Sequence, residues 1–242
     1  MKTAIVIPAR RGSTRLKDKL LLKVKDKPII AYTVENCLKV KGIDRVIVAC
    51  DDEEFKKVLK DYPVDIILTP TELQSGSDRV AFAVKNLDFD FVVNVQADEP
   101  LLNPEDIHKV AEGLREYPVA TLAYPIENEE DYLNPNVVKV VLDRESCGIY
   151  FSRSSIPFYR DIDFNTLKNL KYPLKHIGVY GYRKDVLLTF AYSMEKSPIE
   201  EIEKLEQLRL LYNGYKIKVF IASKDTVGID TKEDFEKFCT LI

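Results

Sequence analysis

Several features that define common functional classes are absent from this sequence of 242 residues. No apolar run approaches the ~20 residues needed to span a membrane, and the first residues enter an apolar segment that lacks the separate core of a signal peptide. The net charge of −3 disfavours a nucleic-acid partner, which would require a basic surface. We therefore expect a cytoplasmic protein with no membrane or nucleic-acid partner.

The four cysteines do not suggest a metal site. Cys37, Cys50, Cys147 and Cys239 lie far apart and show none of the spacings of metal-binding motifs. Cys37 falls on the apolar face of a predicted helix, and Cys50 ends a predicted strand. Both are most simply interpreted as core thiols in a reducing cytoplasm.

Motifs of other nucleotide-binding and hydrolytic enzymes are also missing. The sequence has neither the three spaced glycines of a Rossmann fingerprint nor the Gly-Lys-Ser/Thr of a Walker loop. It shows no Ser–His–Asp or Cys–His arrangement, so nothing in it supports covalent catalysis. These absences disfavour a dehydrogenase and a P-loop ATPase.

What the chain does contain is a concentration of positive charge directly after an apolar strand. Residues 4–21 read AIVIPARRGSTRLKDKLL, and residues 1–27 hold nine basic and two acidic side chains. Around a turn formed by Gly12, Ser13 and Thr14 stand Arg10, Arg11, Arg15, Lys17 and Lys19. Cations beside backbone N–H groups suit a chain of phosphates, whereas the alternative is a basic loop that only faces solvent. The concentration of charge favours a phosphate site, and the missing glycine motifs favour a nucleotidyltransferase.

The first 125 residues alternate regularly between apolar strands and amphipathic helices. Strands are predicted at 4–7, 45–50, 64–68, 90–95 and 119–123, and helices near 28–40, 52–61, 77–87 and from Pro104 onward. Such alternation predicts a mostly parallel, Rossmann-like sheet with helices on both faces. Ligands of these sheets bind at the carboxyl ends of the strands, where the loops at 8–19 and 96–100 both lie.

After residue 130 the pattern changes to strands without intervening helices, which predicts an antiparallel insertion. Its strands are predicted at 137–143, 148–152 and 176–182, followed by a helix over 199–213, a strand over 216–221 and a helix over 231–241. Residues 159–173 are polar, and we expect them to be irregular and mobile. The sequence therefore predicts a single α/β domain over 1–242, with an α/β core formed by 1–125 and 216–242.

Two acidic segments at predicted strand ends are candidates for a metal site. Asp98 and Glu99 follow the strand that precedes NVQADEP, and Asp230 lies in GIDT. Hard carboxylate oxygens hold Mg²⁺ against phosphates. The alternatives are a turn or helix cap for the Asp-Glu pair and an N-cap for Asp230.

Further polar residues have both a functional and a purely structural interpretation. The loop QSGSDR (74–79) offers groups to a base or ribose, although Ser77 or Asp78 could simply cap the next helix. His176 stands alone in a strand and is more often a structural group than a catalyst. Glu206 and Gln207 face either solvent or a polyhydroxylated ligand.

Eight motifs, in order, resemble those of the 3-deoxy-manno-octulosonate (Kdo) cytidylyltransferases. They are IPARRGSTRLKDKLL, QSGSDR, NVQADEP, NPNVVKVVLD, YFSRSSIPF, KHIGVYGYR, SPIEEIEKLEQLRLL and GIDT, and they span nearly the whole chain. The resemblance implies a nucleotidyltransferase fold and the reaction of CTP with Kdo to give CMP-Kdo and pyrophosphate for lipopolysaccharide synthesis. It also implies a Mg²⁺-dependent cytoplasmic homodimer, with the sugar-binding and dimerisation part at 130–215.

The same resemblance assigns individual residues. The catalytic group would be Arg10, Arg15, Lys19 and Asp98. CTP would be bound by Pro8, Ala9, Arg10, Ser13, Arg15, Lys19, Gln74, Ser75, Arg79 and Ala97. Kdo would be bound by Gln96, Arg153, His176, Tyr180, Glu206 and Gln207, and Mg²⁺ by Asp98 and Asp230.

Three other functions remain open at this point. The chain could activate a related sugar acid, such as sialic acid or 8-amino-Kdo. It could sense CTP without turnover, which the presence of both Asp98 and Asp230 disfavours. A glycosyltransferase of similar topology would bind a nucleotide sugar through a DxD motif, and the phosphate loop does not suit that function.

Overall fold

The computed structural model describes residues 1–12, 16–226 and 228–242. Its strands are β1 (Thr3–Ala9), β2 (Lys23–Val24), β3 (Lys27–Pro28), β4 (Arg45–Cys50), β5 (Asp65–Leu68), β6 (Phe91–Asn94), β7 (Val119–Pro125), β8 (Lys139–Leu142), β9 (Gly148–Ser152), β10 (Leu174–Arg183) and β11 (Ile217–Ile221). Its helices are α1 (Ile29–Leu38), α2 (Glu54–Val58), α3 (Gly76–Val84), α4 (Pro104–Gly113), α5 (Glu129–Leu133), α6 (Phe164–Asn169), α7 (Lys184–Tyr192), α8 (Pro198–Glu203), α9 (Gln207–Tyr212) and α10 (Lys232–Leu241). A short 3₁₀ turn covers Lys19–Leu21.

The first strand lies inside the sheet because its whole sequence, TAIVIPA, is buried. β1 pairs in parallel with β4 on one side and with β6 on the other, and β4 pairs in parallel with β5. A strand buried on both faces needs helices on both sides of the sheet. Separate apolar clusters on the two faces supply that cover, the first including α1 and α4 and the second α3 and α7.

The antiparallel part is not a separate layer but enters the central sheet. Among the described residues the order of the main sheet is β11-β7-β10-β6-β1-β4-β5, with β10 antiparallel to both β6 and β7. β8 extends from β10 and pairs with β9, which forms a small antiparallel arm. The predicted fold class, a mostly parallel α/β sheet with an antiparallel insertion, is confirmed.

Two predictions about helices are wrong, and two helices, α5 and α7, were missed. The helix predicted over 199–213 is two helices, α8 and α9, because the chain reverses at Lys204, whose φ of 54° is left-handed. Residues 159–173 contain α6, whose start is capped by Asp163 accepting from the N–H of Thr166 at 2.8 Å. α7 was not predicted, although its apolar face packs against the sheet.

Cys37 and Cys50, the two cysteines expected to be core thiols, both lie in the core. Cys37, Cys50 and Cys147 are buried and Cys239 is exposed, and all four are free. Burial raises the pKa of the Cys50 thiol to about 11, which keeps it protonated and unreactive. No helix in the part of the chain that the structure describes is long and apolar enough to cross a membrane.

Candidate active site

A cavity of about 340 Å³ opens at the carboxyl ends of β1 and β6, as the parallel sheet predicts. Eleven predicted site residues line it: Pro8, Arg10, Lys19, Gln74, Ser75, Arg79, Gln96, Ala97, Asp98, Glu206 and Asp230. The volume is within the range of small-molecule sites. Residues predicted to bind phosphate, base, metal and sugar therefore share one cavity.

The cavity floor holds one ammonium group between two carboxylates. Lys19 Nζ donates to Asp98 Oδ2 at 2.6 Å and to Asp230 Oδ1 at 2.8 Å, and its side chain is only 10% exposed. Burial by itself would lower the pKa of Lys19, but Asp98 and Asp230 outweigh that effect and raise it. The lysine is therefore charged, and it links the predicted phosphate-binding loop to both predicted metal ligands.

Backbone contacts bring the two carboxylates together from distant parts of the chain. The N–H of Ile229 donates to the carbonyl of Asp98 at 2.9 Å. Thr231, rather than Asp230, caps α10, since its hydroxyl accepts from the N–H of Asp234 at 3.2 Å. The alternative interpretation of Asp230 as a helix cap is therefore wrong.

The donor set at this position fits Mg²⁺, although it remains a prediction. Asp98 and Asp230 offer hard oxygens that reach one common cation, and the cavity is open to phosphate oxygens that would complete the coordination. Glu99 lies beside them with its Oε2 buried and without a hydrogen-bond partner among the described residues. Burial, reinforced by Asp98, raises the pKa of Glu99 to about 8.

The loop predicted to contact the nucleoside ends at the start of α3. Ser75 is the cap residue, because its Oγ accepts from the N–H of Asp78 at 3.1 Å and Asp78 accepts from the N–H of Ser75 at 3.2 Å. The predicted caps, Ser77 or Asp78, were thus placed two or three residues too late. A Cβ at Gly76 would lie 3.4 Å from both Pro8 Cγ and Gln96 Oε1, so glycine lets the helix start close to the loop after β1.

The predicted cations differ in how far they are already engaged. Arg10 is exposed and has no ion-pair partner among the described residues. Arg11 pairs with Asp18 at 3.0 Å and Asp52 at 2.9 Å, so it is already neutralised. Arg79 is buried against Asp51 at 3.4 Å, although part of it reaches the cavity wall. Arg15 and Ser13 lie outside the described residues.

The predicted sugar residues divide into two groups. Gln96 and Glu206 line the cavity, and Glu206 Oε2 accepts from Ser77 Oγ at 2.8 Å. Burial raises the pKa of Glu206. Four other residues predicted to bind the sugar do not line the cavity: Arg153, His176, Tyr180 and Gln207. Ala9, which was predicted to bind the nucleotide, does not line it either.

Arg153 is held away from the cavity by backbone carbonyls. Its Nε donates to the carbonyl of Glu203 at 2.8 Å, and its Nη1 donates to that of Pro135 at 3.1 Å. The Glu203 carboxylate in turn accepts from Ser152 Oγ at 2.6 Å. Sequence reasoning did not identify Glu203, and the pattern around it gives no signal beyond an ordinary helical glutamate.

Comparisons with known proteins agree with the nucleotide-binding interpretation of the cavity. The model of the family described as "Cytidylyltransferase" matches residues 4–217. The chain belongs to the cytidylyltransferase family. This cytidylyltransferase is 43% identical over 242 residues to a 3-deoxy-manno-octulosonate cytidylyltransferase of Chloroherpeton thalassium, covering 98% of this chain and 96% of the relative. Its identity to the protein of the same name in Francisella philomiragia is 45% over 240 residues, covering 96% and 95%.

Two solved structures have the same architecture. A CMP:2-keto-3-deoxy-manno-octonic acid synthetase complexed with CTP matches with a TM-score of 0.91 and 37% identity, covering 100% of this chain and 98% of that one. A 4-diphosphocytidyl-2C-methyl-D-erythritol synthase from Anaerococcus prevotii matches with a TM-score of 0.67 and 16% identity, which shows the fold alone. The resemblance inferred from the eight motifs is confirmed.

Proposed function

We propose that this cytidylyltransferase activates Kdo with CTP, giving CMP-Kdo and pyrophosphate. The observation that carries the proposal is the single cavity in which Arg10 and Lys19, the paired carboxylates and the polar start of α3 face one another. The relatives at 43% and 45% identity are named for this reaction. The structure at 37% identity is a CTP complex of a protein named for the same product.

In the proposed reaction the anomeric hydroxyl of Kdo attacks the α-phosphorus of CTP in line. The new O–P bond forms as the bond to the pyrophosphate oxygen breaks, and the hydroxyl proton leaves to solvent. Negative charge builds on the departing pyrophosphate, so fixed cations at the cavity lower the barrier electrostatically. Arg10 and Lys19 have that role, with Arg15 as the third predicted cation.

The residues Asp98 and Asp230 would hold Mg²⁺ in this scheme. The ion would neutralise phosphate oxygens and lower the pKa of the attacking hydroxyl, which makes a dedicated protein base unnecessary. On the sugar side, Gln96 and Glu206 are the polar groups that reach the cavity and can bind hydroxyls.

The proposal is tested by pyrophosphate release from CTP with Kdo, 8-amino-Kdo or sialic acid, each with and without Mg²⁺. We expect release only with a sugar acid, fastest with Kdo, and none without the metal. Asp98→Asn should abolish both turnover and calorimetric Mg²⁺ binding, while the exposed Asp61→Asn should change neither. CTP binding without release in every mixture would indicate a sensing module, and faster release with sialic acid would reassign the substrate.

We also propose that the protein is a cytoplasmic homodimer whose product, CMP-Kdo, is used in lipopolysaccharide synthesis. Free cysteines support a reducing compartment. Exposed apolar side chains concentrated between residues 130 and 170 support a dimer interface there: Leu133, Ile149, Phe158 and Leu170. Sedimentation should give twice the chain mass, and Phe158→Glu, at the 85%-exposed position, should shift the protein toward monomer. A monomeric wild-type protein at micromolar concentration would contradict this.

A further inference from the structure

A fully buried threonine lies where the register between β7 and β10 is irregular. Thr121 pairs with Tyr180, while Ile177 pairs with the next residue of β7, Leu122, so two residues of β10 are left over. In that irregularity the Thr121 hydroxyl is 2.7 Å from the carbonyl oxygen of Val179 and 3.3 Å from that of Ile177. The same hydroxyl is 3.1 Å from Nε2 of His176.

The hydrogen atoms available to these groups determine the tautomer of His176. A threonine hydroxyl carries one hydrogen, and carbonyl oxygens can only accept. The hydrogen therefore goes to the nearest carbonyl, that of Val179, and the hydroxyl oxygen is left as an acceptor toward Nε2. For the contact to be a hydrogen bond, Nε2 must carry the ring proton, and Nδ1 of the neutral ring then has a free lone pair.

Packing around the ring favours its neutral form and fixes its plane. The ring of Phe151 stands edge-on to His176 with centroids 5.3 Å apart, and the ring of Tyr180 lies 5.2 Å away on the same chain segment. Burial lowers the pKa of His176 to about 3, so the imidazole is uncharged at neutral pH. Nδ1 has no hydrogen-bond partner among residues 1–12, 16–226 and 228–242.

The irregular segment borders the cavity. A Cβ at Gly178, between His176 and Tyr180, would lie 4.0 Å from Cγ of Gln96, which lines the cavity. Tyr180 in turn lies close enough to Glu206, another lining residue, for that carboxylate to contribute to its raised pKa. His176 itself does not line the cavity, but its ring is 5.2 Å from that of Tyr180, so the imidazole is separated by this one ring from the polar group Glu206 on the cavity wall.

We propose that Thr121 is a positioning residue that holds His176 as the Nε2–H tautomer, so that Nδ1 accepts a hydrogen bond from a hydroxyl of the sugar acid. The inference rests on the proposed function for the identity of the ligand, but the tautomer is a property of the protein alone. The competing interpretation is that Thr121 only satisfies the carbonyls of the irregular segment.

The chain allows a direct test because it contains two histidines, His108 and His176. In the ¹⁵N-labelled protein, long-range ¹H–¹⁵N correlation distinguishes the tautomers, and His108→Gln assigns the signals. We expect Nε2 of His176 to be protonated in the wild type and in Thr121→Ser, which keeps the hydroxyl. Thr121→Val should lose that preference. Protonation of Nδ1 in the wild type would overturn the proposal without any variant.

Titration with Kdo tests the second half of the inference. Adding the sugar should shift the Nδ1 resonance of the wild type, and an unchanged resonance at saturation would overturn the proposed contact between Nδ1 and the sugar.

In steady-state assays Thr121→Val should raise KM for Kdo about tenfold, as expected for one lost hydrogen bond. KM for CTP should stay within twofold of the wild type. Thr121→Ser should resemble the wild type, and equal losses for both substrates in Thr121→Val would assign a purely structural role. Absence of any CMP-Kdo synthesis by the wild type would refute the proposed function while leaving the tautomer result valid.

Discussion

At the scale of single residues, Lys19, which is predicted to bind phosphate, contacts the same carboxylate oxygens that are proposed to bind the metal ion. Its ammonium lies 2.6 Å from Asp98 and 2.8 Å from Asp230, the two residues proposed to bind Mg²⁺. A cation that neutralises both carboxylates competes with any metal ion for them. We therefore expect that CTP phosphates, by attracting the ammonium, would weaken this competition and let the two carboxylates bind a divalent ion more tightly.

Replacing Lys19 by methionine removes the charge and keeps most of the side-chain volume. We expect turnover to fall on the order of 10²-fold, because charge on the leaving pyrophosphate loses a stabilising cation. Without nucleotide, however, Mn²⁺ should bind more tightly than to the wild type, since the Lys19 ammonium no longer competes with it for the oxygens of Asp98 and Asp230. Electron paramagnetic resonance of free Mn²⁺ measures the second effect, and Lys17→Met, on the exposed side of the same loop, is the matched control. Weaker Mn²⁺ binding in Lys19→Met would contradict this account.

The imidazole of His176, which is partly buried and packed between Phe151 and Tyr180, should make the protein sensitive to acid. Burial lowers its pKa to about 3 in the folded chain, against about 6.5 when unfolded. As the pH falls from 6.5 toward 3, the unfolded chain binds a proton that the folded chain does not, so the free energy of unfolding decreases. Urea unfolding of His176→Asn across this range should show a shallower decrease than the wild type. His108→Gln is the control, and equal slopes for wild type and His176→Asn would sink the prediction.

At the scale of elements, strands were easier to predict than helix boundaries. β1 and β4 are short apolar runs whose burial on both faces leaves little alternative. The break between α8 and α9 could not be predicted, because the segment has a continuous apolar face. The chain turns at Lys204, whose φ is left-handed, and a buried Glu200–Arg209 ion pair, 2.5 Å between Oε1 and Nη2, links the two helices across the break.

That ion pair should be important for the position of Glu206 and Gln207, which lie between its two members. Glu200→Gln removes the negative charge that faces the buried Arg209 guanidinium and leaves that positive charge without its counter-ion. We therefore expect the free energy of unfolding to fall by about 3 kcal/mol. The solvent-exposed pair Glu54–Lys57 provides a matched comparison, and Glu54→Gln should have a much smaller effect on the free energy of unfolding because solvent screens that pair. Chemical denaturation of both variants measures the difference, and similar losses would mean that the inner pair is not structurally important.

At the scale of the whole molecule, the sequence predicts that the site lies at the carboxyl ends of the parallel strands. It does not predict which residues the antiparallel strand β10 brings close to that site. Strand–helix alternation alone places the loops after β1 and β6 side by side, which accounts for Arg10 and Asp98. β10 lies between β6 and β7 because it pairs with strands that are about fifty or more residues away in the sequence. The local sequence pattern of β10 does not predict these partners. Thr121 is therefore an ordinary strand threonine in the sequence and becomes informative only through that pairing.

The cavity joins groups from both parts of the chain, which predicts that nucleotide and sugar binding can be impaired separately. Glu206→Gln keeps the shape of the side chain and removes its charge, so we expect KM for Kdo to rise about tenfold. CTP binding, measured by calorimetry, should stay within threefold of the wild type.

Arg10→Met should have the opposite effect, weakening CTP binding and leaving KM for Kdo nearly unchanged. The reason is that Arg10 stands on the predicted phosphate-binding loop and has no carboxylate partner among the described residues. The two variants control for each other because both side chains line the same cavity, so general damage would affect both substrates in both proteins. If Glu206→Gln weakened CTP and spared Kdo, the assignment of the two sides of the cavity would be reversed.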